Sequence, residues 1–209
     1  MSRRLAALAT AAFVVLVPGG AAAQGASSPP PPLQSLASLD VPAYMGTWYQ
    51  LGWYPNRFQK QCVSDTQARY RLLEGGRVEV LNRCTLADGR SDQALGLARP
   101  VGRIEGDALK PAQLEVSFLP AALRWLPVGW GRYWVVDLAP DGRYAIVSEP
   151  TREYLWVLAR QPRFAPGEEA AIRATLSRLG FDLARLELHP QTAAGATPAP
   201  AANPAATTR

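Results

Sequence analysis

Short runs of residues that favour β-strands alternate with turn signals over most of this chain. Gly75-Gly76 and Asp141-Gly142 are typical of tight hairpins, and Asp88-Gly89 marks a further connection. In residues 113–118 apolar and polar residues alternate, so that Leu, Val and Phe share one face of a strand. The pattern predicts eight strands, at Trp48–Tyr54, Thr66–Leu73, Arg77–Cys84, Gln93–Arg99, Gln113–Leu119, Tyr133–Leu138, Tyr144–Ser148 and Tyr154–Arg160.

A helix is predicted after the eighth strand, because the apolar period changes there. Residues 166–169 are typical of a helix start, and Gly180 marks the end. Ile172, Leu176 and Leu179 fall on one stripe between them. Eight successive antiparallel strands leave no unpaired edge when they close into a barrel. The expected fold class is therefore all-β: an eight-stranded antiparallel up-and-down barrel, wide enough for one small ligand, with the C-terminal α-helix packed on its outside.

The two ends of the chain lie outside the predicted domain, which covers residues 41–189. Residues 1–23 combine two early arginines, a short apolar run and a small-residue cleavage site, which is typical of a secretory signal peptide. The Pro- and Ser-rich linker at 24–40 and the Ala- and Pro-rich tail at 190–209 are predicted to be disordered. No cysteine precedes Cys62, so the signal lacks the cysteine at which bacterial lipoproteins are acylated. A soluble periplasmic or secreted protein is expected.

Charge and cysteine content narrow the classes of function. The 22 Lys and Arg residues exceed the 17 Asp and Glu residues only slightly and are scattered singly, so no nucleic-acid partner is expected. One histidine without a neighbouring cysteine cluster predicts neither a metal site nor a cofactor. Cys62 and Cys84, an even pair in an exported chain, predict a disulfide bond.

The first and last strands carry residues suited to closing one end of a barrel. Trp48 can fill the narrow bottom, and Gly46 lets the entering chain turn close beneath it. Arg160 ends the eighth strand, which neighbours the first strand in a closed barrel. Its guanidinium group is therefore expected to stack on the indole and to bond the backbone that closes the base.

This constellation resembles the lipocalin family. Gly46-x-Trp48 fits the family's first signature and Arg160-x-Pro162 its third. Val136-Asp137 fits the second only loosely, since the usual Thr-Asp-Tyr is missing. The similarity is closest to the bacterial and apolipoprotein D-like members and covers nearly all of residues 41–189. It implies an extracytoplasmic, non-enzymatic protein that carries or stores a small lipophile, a fatty acid or a lysophospholipid, in the barrel lumen.

Strand alternation and the family resemblance together assign side chains to the lumen. The predicted wall is apolar with a few phenols, and Gly96 and Ala98 leave space in it, which suits an acyl chain. The alternative is that the same side chains fill a tight core. The lumen set is Tyr54, Tyr70, Val78, Val80, Ala98, Leu114, Val116, Phe118, Tyr133, Val135, Val147, Trp156 and Leu158.

Two other classes of function stay open. A lipocalin-type enzyme would use Cys62 or Cys84 as a thiol nucleophile, helped by Tyr54 or Tyr70, and its cysteine would have to be free of a disulfide. A structural or inhibitory protein would hold no small ligand at all.

The connections that follow the odd-numbered strands share the open end of the predicted barrel, opposite Trp48. Among them, the apolar segment at 118–130 either packs down as a lid or forms a rim that touches a membrane surface. The rim residues would be Leu123, Trp125, Leu126 and Trp130. Four basic residues at this mouth are candidates to meet a carboxylate or phosphate headgroup: Arg57, Lys60, Arg124 and Arg152.

Overall fold

The computed structural model describes residues 30–192, and its main sheet is a closed antiparallel barrel. Each barrel strand pairs with the next one, and the last strand pairs with the first. The eight-stranded up-and-down barrel predicted from the sequence is thus confirmed. Its strands are β2 (Gly46–Trp53), β3 (Cys62–Leu72), β4 (Val78–Leu86), β5 (Ser91–Pro100), β8 (Gln113–Ser117), β9 (Gly131–Leu138), β10 (Tyr144–Ser148) and β11 (Leu155–Ala159).

A small second sheet lies at the closed end. It contains β1 (Leu39–Asp40), β7 (Ala108–Lys110) and β6 (Arg103–Glu105), paired in that order. A one-turn helix, α1 (Val41–Tyr44), leads from β1 into β2. Leu39, Leu109 and Tyr44 of these elements are buried in the same cluster as the inward side chains of the barrel strands. The chain therefore covers the bottom of the barrel before it enters the first barrel strand.

The segment before β1 is ordered, so the disorder predicted for residues 24–40 is wrong for its described part, 30–40. Leu33 is buried in the cluster between the barrel and the C-terminal helix. The backbone of Leu36 donates to Val135 O at 2.8 Å and accepts from Ala112 N at 2.9 Å. The prediction relied on the proline-rich composition and did not consider the leucines at 33, 36 and 39, which pack on the barrel. Residues 24–29 and the predicted signal peptide at 1–23 lie outside the described residues.

The helix α2 (Glu168–Arg178) packs on the outside of the barrel, as predicted. Its Ile172 and Leu176 are buried against outward side chains of β9, β10 and β11. Glu168 in the first turn accepts a hydrogen bond from Ala165 N at 2.9 Å, which satisfies a backbone donor at the helix start. Gly180, with φ of 78°, follows the last turn in the left-handed conformation that commonly ends a helix.

Tyr54 lies in this outer layer, so its predicted place in the lumen wall is wrong. Its hydroxyl donates to Asp182 O at 2.8 Å, and its ring packs edge-on against Phe181. The guanidinium carbon of Arg185 also lies over the ring of Tyr54, 4.3 Å from its centroid. Tyr54 thus helps to attach the chain after α2 to the barrel.

A bulge in β2 explains the position of Tyr54. Gln50 and Gly52 pair with two adjacent residues of β11, which leaves Leu51 as an extra residue in β2. Side chains alternate along a strand, so one extra residue turns the following side chains to the opposite face. Tyr54 has the same parity as Trp48 in the sequence but comes after the bulge, and it therefore faces outward.

Residues 187–192 fill a gap in the barrel wall, so the disorder predicted from residue 190 onward is wrong for 190–192. The strand β12 (Glu187–Leu188) pairs with the upper part of β2, beyond the point where the pairing of β2 with β3 has ended. Asp65 N donates to Pro190 O at 2.9 Å, and the Asp65 carboxylate accepts from Thr192 N at 2.6 Å. Residues 193–209 lie outside the described residues.

Candidate ligand-binding site

Trp48 plugs the closed end of the lumen and has no solvent exposure. The guanidinium carbon of Arg160 lies 3.7 Å from the centroid of the indole, so the contact expected from the sequence is present. Arg160 also donates to Thr47 O at 3.1 Å and to Ala43 O at 2.7 Å. Gly46, with φ of 94°, adopts the left-handed backbone that this close approach requires. One arginine therefore joins the last barrel strand to the chain beneath the first.

Three phenols lie together just inside this plug. The hydroxyl of Tyr133 is 2.8 Å from that of Tyr44 and 3.1 Å from that of Tyr70. Burial raises the pKa of Tyr70 to about 12 and raises the pKa of Tyr44 and Tyr133 well above 10, so all three are protonated at neutral pH. Two contacts use two of the three hydroxyl protons.

The inner wall encloses a cavity of about 790 Å³, which is in the size range of small-molecule sites. The lumen is therefore a cavity, and the tight core considered from the sequence is wrong. Val135 and Val147, which were also predicted for the lumen wall, do not line the cavity and are fully buried in the cluster of inward side chains. The other predicted residues apart from Tyr54 line the cavity. Those lining residues are Tyr70, Val78, Val80, Ala98, Leu114, Val116, Phe118, Tyr133, Trp156 and Leu158. Their contact with a ligand stays a prediction.

A chain of polar side chains interrupts this apolar wall on one side. Trp156 Nε1 donates to Gln59 Oε1 at 2.9 Å, and Gln59 Nε2 donates to Gln50 Oε1 at 2.8 Å. Gln59 comes from the connection between β2 and β3, whereas Gln50 lies on β2 and is only 3% exposed. Two amide atoms at the cavity have no hydrogen-bond partner within residues 30–192: Gln50 Nε2 and Asn82 Oδ1.

The disulfide between Cys62 and Cys84 joins β3 to β4 at the open end, with a Cα–Cα distance of 5.5 Å. The predicted pairing is confirmed. Both cysteines of the chain are used in this bond, so neither is a free thiol. The enzyme considered from the sequence, with Cys62 or Cys84 as nucleophile, therefore has no nucleophile in this structure.

The basic residues predicted at the mouth differ in their surroundings. Arg57 lines the cavity, with its guanidinium 5.0 Å from the ring centroid of Phe58. Lys60 is exposed. Arg124 donates to Leu119 O at 2.9 Å, and Arg152 donates to Leu179 O at 2.9 Å and Pro31 O at 2.6 Å. Arg57 is thus the basic residue of this set that stands at the cavity itself.

The apolar segment after β8 is divided between packed and exposed side chains. Trp130 lines the cavity, donates to Arg124 O at 3.1 Å and lies 4.0 Å below the guanidinium of Arg99. Leu126 is half-buried, Leu123 is exposed, and Trp125 is 78% exposed. Trp130 therefore forms part of the cavity wall at the mouth, whereas the side chain of Trp125 is exposed to solvent and does not line the cavity.

Sequence reasoning missed three polar residues of the site. Gln50 stands two residues after Trp48 on the same strand, so the alternation of side chains along a strand was a signal that could have found it. Tyr44 lies in α1, before the first predicted strand, and turns inward because the chain crosses under the barrel. Gln59 lies in a connection, where no periodicity indicates which way a side chain faces.

Two kinds of feature are absent from residues 30–192. No group of three His, Cys, Asp or Glu side chains is placed so that it could hold a metal ion. No helix in that range is long and apolar enough to cross a membrane.

Comparison with known proteins agrees with this architecture. Residues 39–191 match the model of the lipocalin-like domain. The chain is 34% identical over 170 residues to temperature-induced lipocalin-1 of Arabidopsis thaliana, covering 77% of this chain and 83% of that protein. It is 33% identical over 182 residues to the outer membrane lipoprotein Blc of Escherichia coli K12, covering 87% and 92%. Mouse apolipoprotein D is 32% identical over 158 residues, covering 71% and 75%.

Solved structures share the fold at low sequence identity. Insecticyanin of the tobacco hornworm Manduca sexta superposes with a TM-score of 0.61 at 18% identity, over 80% of this chain and 90% of that one. Apocrustacyanin C2 superposes with a TM-score of 0.53 at 15% identity, over 73% and 79%. The domain match covers most of the chain, the relatives exceed 30% identity, and Trp48 and Arg160 plug the barrel. The chain therefore belongs to the lipocalin family.

Proposed function

We propose that this protein carries or stores one small lipophile, a fatty acid or a lysophospholipid, in its barrel lumen outside the cytoplasm. The observation that carries the proposal is the cavity of about 790 Å³, closed by Trp48 at one end and open at the other. Most of its lining is aliphatic or aromatic, so an acyl chain gains about 0.8 kcal/mol for each methylene group it buries.

An extracytoplasmic location is supported by the chemistry of the chain. Disulfides persist in oxidising compartments, and Cys62 and Cys84 form one. The N-terminal sequence has the pattern of a secretory signal. A relative at 33% identity is named an outer membrane lipoprotein. On these grounds we propose that the protein is periplasmic or secreted.

Transient contact of the mouth with a membrane surface is part of the same proposal. Trp125 and Leu123 are exposed beside the half-buried Leu126, and Phe58 is exposed across the opening. Arg57 accompanies Phe58 at the cavity. Aromatic and aliphatic side chains next to arginines suit the interface of an anionic lipid layer. A mouth that touches lipid gives an apolar ligand a path that avoids water.

The test of the carrier function is a titration with saturated fatty acids of eight to sixteen carbons, followed by tryptophan fluorescence. Trp156 lines the lumen and is the expected reporter. Affinity should rise with chain length and saturate at one ligand per barrel, because each added methylene leaves water. Affinity that is independent of chain length would contradict an acyl-lined lumen. Absence of binding by every chain would contradict the carrier function itself.

A pair of variants locates the binding in the lumen. Ala98 is buried on the inner face of β5, and Leu95 is exposed on the same strand. Ala98→Phe places a ring in the cavity and should weaken binding of palmitate at least tenfold, whereas Leu95→Phe should leave it unchanged. Equal effects of the two variants would show that the lipid binds elsewhere.

A further inference from the structure

The orientation of two amides in the lumen follows from the indole of Trp156. An indole N–H group only donates, so the atom of Gln59 that it meets at 2.9 Å is the carbonyl oxygen. The opposite atom of Gln59 is then its NH₂ group, which donates to Gln50 at 2.8 Å. The bonded atom of Gln50 must therefore be its carbonyl oxygen. This leaves the NH₂ group of Gln50 as a donor directed elsewhere.

That donor is buried at the cavity and unsatisfied. Gln50 is 3% exposed and lines the lumen, and its Nε2 has no acceptor among residues 30–192. The residue is held firmly, since its backbone oxygen accepts from Gln191 at 2.9 Å and its side chain is fixed by Gln59. A buried amide donor without an acceptor is costly, so this position favours a ligand that supplies an oxygen.

We propose that Gln50 Nε2 donates to the carbonyl oxygen of a bound acyl group, an inference that rests on the lipid-carrier function proposed above. The oxygen belongs either to the ester of a lysophospholipid or to the carboxylate of a fatty acid. Gln59 and Trp156 contribute by fixing the donor, because their own groups are already bonded to each other. The polar group of the ligand then lies inside the barrel and not in the solvent at the mouth.

The facing wall offers a place for the hydrocarbon. In the closed barrel β8 is four strands away from β2, so it stands opposite Gln50, with β5 beside it. Their inward side chains Leu114, Val116 and Ala98 are apolar and line the same cavity. An acyl chain whose carbonyl oxygen meets Gln50 therefore has an aliphatic surface across the lumen.

The test compares two lysophosphatidylcholines that differ only at the linkage, the 1-palmitoyl ester and the 1-O-hexadecyl ether, with palmitate as a third probe. If the ester is the source of the oxygen, the full-length protein should bind the ester about tenfold more tightly than the ether, and Gln50→Met should abolish the preference. If the carboxylate is the source, Gln50→Met should weaken palmitate about tenfold and leave the two lysolipids equal.

Controls separate the donor from the fold and from the carrier function. Gln50→Glu keeps an acceptor for Gln59 but replaces the amide donor with a carboxylate. Like Gln50→Met, it should therefore lose the preference for the ester over the ether. Gln113→Met changes a glutamine that bonds Ser35 and does not line the cavity, so it should behave as the wild type. The proposal is overturned if the wild type binds ester and ether equally and Gln50→Met binds palmitate normally. Failure of all three probes to bind would instead refute the carrier function.

Discussion

Arg160 performs two separate tasks at the closed end. Its planar face covers the indole of Trp48, and its edge donates to two carbonyl oxygens of the chain that enters the barrel. Lysine has no planar group and no fork of donors, so it cannot replace both contacts. The arginine therefore links residues 43–48 to the last strand, more than 100 residues later in the sequence.

Arg160→Ala should lower the free energy of unfolding by about 2–4 kcal/mol, because the indole loses its cover and two carbonyl groups lose their donors. Urea unfolding measures the effect. Arg99→Ala is the matched control, since Arg99 also stacks on a tryptophan, Trp130, but at the surface. It should cost less than about 1 kcal/mol. Equal midpoints for the two variants would show that Arg160 is not needed to close the barrel.

At the scale of elements, the eight barrel strands and α2 followed from the sequence because each has a local signal, whereas β1, β6, β7 and α1 were not predicted. Alternation and turn residues defined the eight strands, and the change of period defined α2. The adjacent positions of Cys62 and Cys84 and of Trp48 and Arg160 followed from closing those strands in order. These features depend only on which strands are neighbours.

The elements that were missed depend on distant contacts. The extra residue at Leu51 has no local signal, because the bulge exists only relative to β11, and it reversed the side of Tyr54. The segments at 30–40 and 190–192 have the composition of disordered chain, yet each is bonded to the barrel. The position of Gln59 at the lumen also depends on a distant contact, because its side chain is bonded to Trp156, 97 residues later in the sequence.

The contribution of the segment at 30–40 to the core can be tested at Leu39. Leu39 in β1 is buried at the closed end, whereas Leu95 on β5 is exposed. Leu39→Ala should lower the free energy of unfolding by about 2–4 kcal/mol, because it leaves a cavity under the barrel. Leu95→Ala should change it by less than about 0.5 kcal/mol. Urea midpoints that are equal for both variants would mean that the segment does not contribute to the core.

The whole molecule has two unlike ends. One is closed by Trp48, the second sheet and the chain at 30–40, where Trp48, Leu39 and Leu109 are buried. The other end is open, although the disulfide links β3 to β4 there. The apolar side chains of Phe58, Trp125 and Val128 are exposed around it. A ligand in the lumen is therefore expected to exchange through the open end, where the mouth leads to the cavity. Exchange with a membrane needs that end to face the lipid.

Docking by this end predicts that membrane contact and ligand affinity can be separated. Trp125→Ser with Leu126→Ser removes apolar surface from the rim, so it should weaken binding to anionic phosphatidylglycerol vesicles at least fivefold in a sedimentation assay. Affinity for a soluble lysolipid should stay within about twofold, because neither residue lines the cavity. Val101→Ser, at an exposed apolar residue of the opposite end, should change neither quantity. If the double variant loses lysolipid affinity and keeps its vesicle binding, segment 118–130 acts as a lid, and docking through the rim is refuted.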